Sequence, residues 1–109
     1  MMQLEESEKT LLALAKKLGY IVEFEHYHFN PPMVKQFEHR EKAISHGTAA
    51  RLFNHGSETP VHVGRAYCSV NDNAVFSKQK GRVIALARAL KETGYNIRLM
   101  IREIQNCGA

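Results

Sequence analysis

The stretch TAARLFNHGSETPVHVGRAYCS, residues 48–69, carries the clearest folding signal in the chain. Two runs of apolar and β-branched residues, 48–53 and 61–69, flank the polar segment 55–60. Gly, Ser and Pro in such a segment favour a turn, and the flanking runs are typical of strands. The stretch therefore predicts a β-hairpin.

A helix and a strand are predicted upstream of the hairpin. In residues 5–18 leucines recur at three- and four-residue spacing, and Gly19 stands where a helix C-cap belongs. Residues 20–29 change to period two, the pattern of a half-buried strand, in which one side carries Tyr20, Val22 and Phe24.

The segment between that strand and the hairpin is less decided. Asn30, Pro31 and Pro32 are expected to end the strand, because proline donates no ladder hydrogen bond. Residues 33–45 allow a charged amphipathic helix, and a strand or a loop fits them nearly as well. The sequence leaves this segment open.

The strongest helix signal covers residues 76–92 and is closed by Gly94. The preceding Asn-Asp-Asn of residues 71–73 supplies turn chemistry and a candidate N-cap. Asn96 is a candidate cap for a last helix whose isoleucines at 97, 101 and 104 share a face. Together these elements predict one α+β domain, residues 1–109, built as a small antiparallel sheet with helices packed on one face.

Charge and composition narrow the classes of function. Fifteen Lys and Arg against eleven Asp and Glu give a net charge of +4, which favours anionic ligands but lacks the dense basic stripe of a dedicated DNA-binding protein. Residues 1–8 have no signal-peptide pattern, and no apolar run approaches the roughly 20 residues of a membrane span. Cys68 and Cys107 form no CxxC pair, so we expect reduced thiols in a cytosol and no membrane partner.

The helix predicted over residues 76–92 points most directly to a function. Its core face is predicted to consist of Phe76, Val83, Leu86, Ala87 and Leu90.

Opposite that core face, Gly81, Ala85 and Ala89 repeat every four residues, and Arg82 and Arg88 lie on the flanks. Small residues there permit close approach of a second surface, although the high helix propensity of alanine explains them equally well. The functional interpretation is a groove whose arginine walls hold phosphate oxygens through their planar forks.

The same segment resembles a known group of proteins. The pattern Phe76-Ser77-x-x-x-Gly81-Arg82-x-Ile84-Ala85-x-x-Arg88-Ala89-Leu90, after a hairpin ending in Cys68 and an Asn-Asp turn, is similar to the phage-encoded Thoeris anti-defence sponge proteins. The resemblance covers about the last sixty residues. It implies a phage protein in the host bacterial cytosol that sequesters a cyclic nucleotide, glycocyclic ADP-ribose or a cyclic oligonucleotide, without cleaving it. It also implies a homo-oligomer, either a dimer or a hexamer.

The resemblance further implies roles for individual residues. Asn71 matches the asparagine of those proteins, Phe76 the aromatic ring, and Arg82 and Arg88 the phosphate-binding arginines. From alternation alone, Arg65 is either an edge-strand charge or a ligand contact from the sheet. We therefore expect these five residues to bind a nucleotide, with no catalytic residue and no cofactor.

Other functions fit parts of the sequence. The basic helix also suits binding of nucleic acid or of a host protein. His46-Gly47-Thr48 and His55-Gly56-Ser57 resemble the paired motifs of two-histidine phosphoesterases, in which histidines act as general acid and base. His26 and His28 share one side of a strand, as metal ligands do, but no further ligand motif follows, so a metal site is not expected.

Overall fold

Five elements make up the part of the chain that the computed structural model describes, residues 3–37, 40–69 and 77–94. In chain order they are α1 (Leu4–Lys17), β1 (Tyr20–Phe37), β2 (Arg40–Asn54), β3 (His62–Ser69) and α2 (Lys78–Lys91). The strands form an antiparallel sheet in the order β1-β2-β3. Both helices pack on one face of it, which confirms the predicted α+β class.

The predicted hairpin of residues 48–69 is confirmed as the pairing of β2 with β3. Leu52 pairs with His62, and the amide of Val61 donates to the carbonyl of Leu52 at 2.8 Å. The connection turns at Gly56, whose φ of 80° lies in the left-handed region that glycine adopts without steric cost.

The predicted end of β1 at Asn30-Pro31-Pro32 is wrong. The strand continues to Phe37, and the register with β2 shifts between His28 and Met33, so the prolines lie within an irregularity of the ladder. β1 is an edge strand, where proline leaves no neighbour without a donor. The undecided segment 33–45 is consequently strand on both sides of residues 38 and 39.

The helix bounds differ slightly from those predicted. α1 covers Leu4–Lys17 where residues 5–18 were predicted. α2 begins two residues later than predicted, because Ser77 is extended and caps the helix by accepting from the amide of Lys80 at 2.9 Å. The N-cap is therefore Ser77 and not a residue of 71–73. Residues 71–73, Phe76 and the predicted helix after Asn96 lie outside the described residues.

The core lies between the sheet and the helices. Its fully buried side chains include Leu11 of α1, Leu52 of β2, and Val83, Leu86 and Leu90 of α2. Partly buried side chains of β1 close one side of it, namely Tyr20, Val22 and Phe24. The described part of the predicted core face of α2 is thus confirmed.

The small-residue stripe of α2 is not where the sequence predicted it. Gly81, Ala85 and Ala89 are buried, because α2 packs on β2 and β3 as well as against α1. A Cβ on Gly64 of β3 would collide with the carbonyl oxygen of Ala85 and the amide of Ala89. The stripe therefore brings α2 onto the protein's own sheet, and the groove predicted above it does not exist.

None of the described helices is long and apolar enough to cross a membrane.

Candidate functional site

Strand alternation gives the sheet two different faces. The helix face, as we name it, carries the residues that pack under α1 and α2. The opposite face carries Tyr27 and Phe29 of β1, Gly47 of β2 and Tyr67 of β3, and we name it the aromatic face. Tyr27, Gly47 and Tyr67 are direct partners in the register, so they form one row across the sheet.

Gly47 makes room for the rings on either side of it. Phe29 Cε2 and Tyr67 Cδ1 each lie 3.4 Å from the point that a Cβ on Gly47 would occupy. The Tyr27 and Phe29 rings stack with centroids 6.1 Å apart and planes 19° from parallel. A glycine between tall aromatic neighbours therefore creates a depression floored by backbone.

This depression, which we name the aromatic groove, has a volume of about 190 Å³ and opens widely to solvent. Six residues line it: Tyr27, Phe29, Met33, Thr48, Arg65 and Tyr67. Ligand pockets that enclose a small molecule usually have volumes of roughly 300–1,000 Å³. The groove therefore offers a platform of rings and does not surround a ligand.

Positive charges border the aromatic groove. Arg65 is exposed on β3, in the row next to that of Tyr67. Lys35 Nζ lies 4.1 Å from the centroid of the Tyr67 ring, a cation–π contact. Lys42 is the cross-strand partner of Lys35, so two like charges stand opposite each other beside the groove.

Arg51 fixes the far side of the groove. Its guanidinium donates to the Tyr27 hydroxyl at 2.8 Å and to Glu25 Oε2 at 2.6 Å. The hydrogen bond from Arg51 lowers the pKa of the Glu25 carboxyl from its ordinary value, and a hydrogen bond with Tyr27 lowers it further by a smaller amount. These contacts fix the orientation of the Tyr27 ring before a ligand binds. Arg51 itself is already paired with the carboxylate of Glu25.

The arginines predicted from the helix have internal roles. Arg82 Nε donates to Glu8 Oε2 at 2.9 Å, which joins α2 to α1 through side chains only 29% and 20% exposed. Arg88 donates to the backbone carbonyl of Arg65 at 2.8 Å on β3, an edge strand. Burial lowers the pKa of the Arg88 guanidinium. Among the described residues, Arg88 thereby satisfies an acceptor at the outer edge of β3.

Three of the five predicted site residues can be placed, and they occupy different positions. Arg65 lines the aromatic groove, and only its carbonyl meets Arg88. Arg82 lies at the α1–α2 contact. Asn71 and Phe76 lie outside the described residues.

The structure also places the two histidines of the predicted phosphoesterase motifs at different positions. His55 is exposed in the β2–β3 connection, whereas His46 lies toward the other end of β2 and stacks on His28 with ring centroids 4.8 Å apart. Most of the chain between His46 and His55 is extended β2, so the structure does not bring the two histidines together as a two-histidine site requires. In the described part of the chain no three His, Cys, Asp or Glu side chains are arranged to hold a metal ion.

Sequence reasoning missed most of the groove. The pattern around Tyr27 and Phe29 predicted only a strand, Gly47 entered only as part of the His46-Gly47-Thr48 motif, and Met33 and Lys35 lay in the undecided segment. The available signal was the period-two alternation of β1, which places odd-numbered aromatic residues opposite the core side. A glycine flanked by strand residues was a second signal, because it marks close approach.

No protein-family model, curated protein or solved structure matches the chain.

Proposed function

We propose that the protein binds a nucleotide-type anion on its aromatic face and holds it without chemical change. The observation that supports this most strongly is the juxtaposition of the ring platform with cationic side chains, Tyr67 with Lys35 and Arg65. A nucleotide presents the same combination, a flat base and a charged phosphate.

The energetics suit this ligand class. Base stacking on an aromatic side chain contributes roughly 1–3 kcal/mol per base and depends little on base identity. Arg65 presents a planar fork that matches phosphate oxygens. Tyr27 adds a ring held by Arg51 at 2.8 Å, so little side-chain entropy is lost when a base stacks there.

Sequestration of a signalling nucleotide makes a further demand. Binding at nanomolar concentration requires about −12 kcal/mol, more than two stacking contacts and one arginine supply on an open surface. A second copy of the chain placed over the aromatic groove would enclose the ligand and add its own rings. The proposed sponge activity on a cyclic nucleotide therefore includes a homo-oligomer with the ligand between subunits.

Binding of single-stranded nucleic acid is the second candidate function. The observation favouring it is the β1–β2 ribbon, which continues past the end of β3 and carries Lys35, Lys42 and the exposed Arg40. Cations spaced along a ribbon next to stacking rings are typical of surfaces that follow a phosphate backbone. An extended strand of bases would occupy both regions, whereas a cyclic nucleotide would occupy the aromatic groove alone.

Tyrosine fluorescence distinguishes these candidates directly, because the chain has four tyrosines and no tryptophan. The protein is titrated with cyclic ADP-ribose isomers, cyclic dinucleotides and a short oligo(dT), each at low and high salt. Backbone binding of the oligonucleotide weakens roughly tenfold or more between about 50 and about 200 mM salt, while an enclosed cyclic ligand is much less sensitive.

Each outcome of the titration has a definite meaning. Saturable binding of a cyclic nucleotide, with the compound recovered intact and the protein dimeric or larger by light scattering, supports sequestration. Tight, salt-sensitive binding of oligo(dT) alone supports the second candidate. Absence of quenching by every ligand contradicts both, and recovery of a linearised product in excess over protein contradicts the non-enzymatic proposal.

A further inference from the structure

A cluster of polar side chains lies on the helix face, next to the first turn of α2. His26 Nδ1 is 2.9 Å from Thr48 Oγ1, and Thr48 in turn contacts the first turn of α2 at Gly81. Beyond this pair His28 and His46 stack with planes 15° from parallel, and Ser45 Oγ lies 2.9 Å from His46 Nδ1. We name His26, His28, His46 and Thr48 the histidine cluster.

His26 faces more positive than negative charge. Burial is the largest cause that lowers the pKa of His26, and the positive charges of Lys78 and Arg82 on α2 lower it further. Glu8 of α1 bonds to Arg82 and offsets one of these charges. Lys78 is exposed at the positive end of the α2 dipole, which adds to the same field.

We infer that the histidine cluster binds a tetrahedral oxyanion, such as sulfate or a phosphate group, and that His26 takes up a proton when the anion binds. The Nδ1 atom of His26 is directed to Thr48, so the Nε2 atom is the one that would meet the anion. An anion near Nε2 would be attracted by Lys78 and would reverse the unfavourable field around the imidazole. The side chains of His26, His28 and His46 extend from the opposite face of the sheet to those of Tyr27 and Tyr67, so the cluster is a separate site that shares only Thr48 with the lining of the aromatic groove.

Sulfate is the appropriate probe, because it stays a dianion across the range in which histidine titrates. The Cε1 proton signals of the six histidines are followed by NMR from pH 5 to 8 in sodium sulfate and in sodium chloride of equal ionic strength. We expect sulfate to raise the pKa of His26 by about one unit, equivalent to roughly tenfold tighter binding to the protonated form. Sulfate affinity should therefore rise as the pH falls.

Three variants show whether the effect belongs to the cluster. His26→Gln should abolish the pH dependence of sulfate binding. Lys78→Ala alters an exposed residue and should reduce the sulfate-induced shift in the pKa of His26, so it tests the same site even if His26→Gln does not fold. His55→Gln, in the exposed β2–β3 connection, is the matched control and should change nothing. Identical titration of His26 in the two salts, or an equal shift at His55, overturns the inference.

The aromatic groove provides the remaining control. Tyr67→Ala should leave the sulfate-induced shift of His26 intact, even though it weakens nucleotide binding. Loss of the shift in Tyr67→Ala would place the anion on the aromatic face and overturn the second site without deciding the proposed function.

Discussion

The two faces of the sheet use glycine for opposite purposes. On the helix face, Gly64 allows the backbone of α2 to approach the backbone of β3 directly. On the aromatic face, Gly47 separates the large rings of Phe29 and Tyr67 and leaves a groove. Gly64 permits close backbone packing, whereas Gly47 leaves an open groove. The comparison shows that a small residue in a strand acquires its role from what stands opposite it.

The largest effect that we predict is at Gly64. A valine there places side-chain atoms where Ala85 O and Ala89 N already lie, and backbone atoms cannot rotate away as a side chain can. We expect Gly64→Val to lower the free energy of unfolding by about 3 kcal/mol or more, at or beyond the usual range for overpacking. Urea denaturation followed by circular dichroism measures this.

Gly64→Ala and Gly47→Ala compare the two glycines with the same substitution, and Gly64→Ala should already destabilise the fold clearly because its Cβ alone collides with the backbone of α2. A Cβ on Gly47 meets two ring edges at 3.4 Å, which is ordinary contact, so we expect a loss of stability within about 1 kcal/mol. The groove should nevertheless become shallower and its ligand should bind more weakly. Equal destabilisation by the two substitutions would contradict the distinction between the faces.

The next effect concerns ligand binding on the aromatic face. Tyr67→Ala removes a ring of the platform and the contact with Lys35, and we expect roughly five- to hundredfold weaker nucleotide binding with little loss of stability. Arg65→Ala should weaken binding by a similar factor, whereas Arg65→Lys should restore only part of it, because lysine lacks the fork. Calorimetric titration measures these affinities.

Lys91→Ala and Tyr20→Phe serve as controls for those two variants. Lys91 is an exposed cation on α2, and Tyr20 packs on the helix side of β1 with its ring 5.8 Å from that of His62. Normal binding in Tyr67→Ala and Arg65→Ala, with loss of binding in either control, would move the ligand off the aromatic face.

A smaller effect is expected at the contact between the helices. Arg82 and Glu8 form a half-buried ion pair at 2.9 Å, so Arg82→Ala should cost about 1–2 kcal/mol of stability, between the values for exposed and fully buried pairs. The double variant with Glu8→Ala should cost less than the sum of the two single variants. If Arg82→Ala leaves stability unchanged but removes nucleotide binding, the sequence-based assignment of Arg82 to phosphate was correct.

Local patterns predicted much of the fold. Period-two alternation and the turn residues of 55–60 were sufficient for the β2–β3 hairpin, since both depend on neighbours in sequence. The two prolines were misleading, because their effect depends on whether a strand lies at the edge of the sheet. That position follows from the order of all three strands, which residues 30–32 do not contain.

The candidate site was harder to predict for the same reason. The wheel of α2 correctly identified Val83, Leu86 and Leu90 as buried, but it assumed that a helix has one buried side. α2 is covered by α1 as well as by the sheet, so its small residues are interior too. Tyr27, Gly47 and Tyr67 belong to three different strands, and only the register places them in one row.

The smallest predicted effect tests whether the groove is fixed before a ligand binds. Arg51 lowers the pKa of Glu25 below its ordinary value of 4.5. Because the folded pKa is the lower one, the pair stabilises the fold above about pH 4.5, and this contribution is lost as the pH falls through the folded pKa.

Arg51→Gln should therefore return the pKa of Glu25 toward 4.5, as measured by NMR of the carboxyl carbon. The change in stability should be slight, because Glu25 is on the surface and water already solvates its charge. The same substitution removes the hydrogen bond to the Tyr27 hydroxyl, so a base stacked on that ring should bind somewhat more weakly. If Glu25 titrates identically with and without Arg51, the network does not persist in solution, and Tyr27 is oriented by the ligand and not in advance of it.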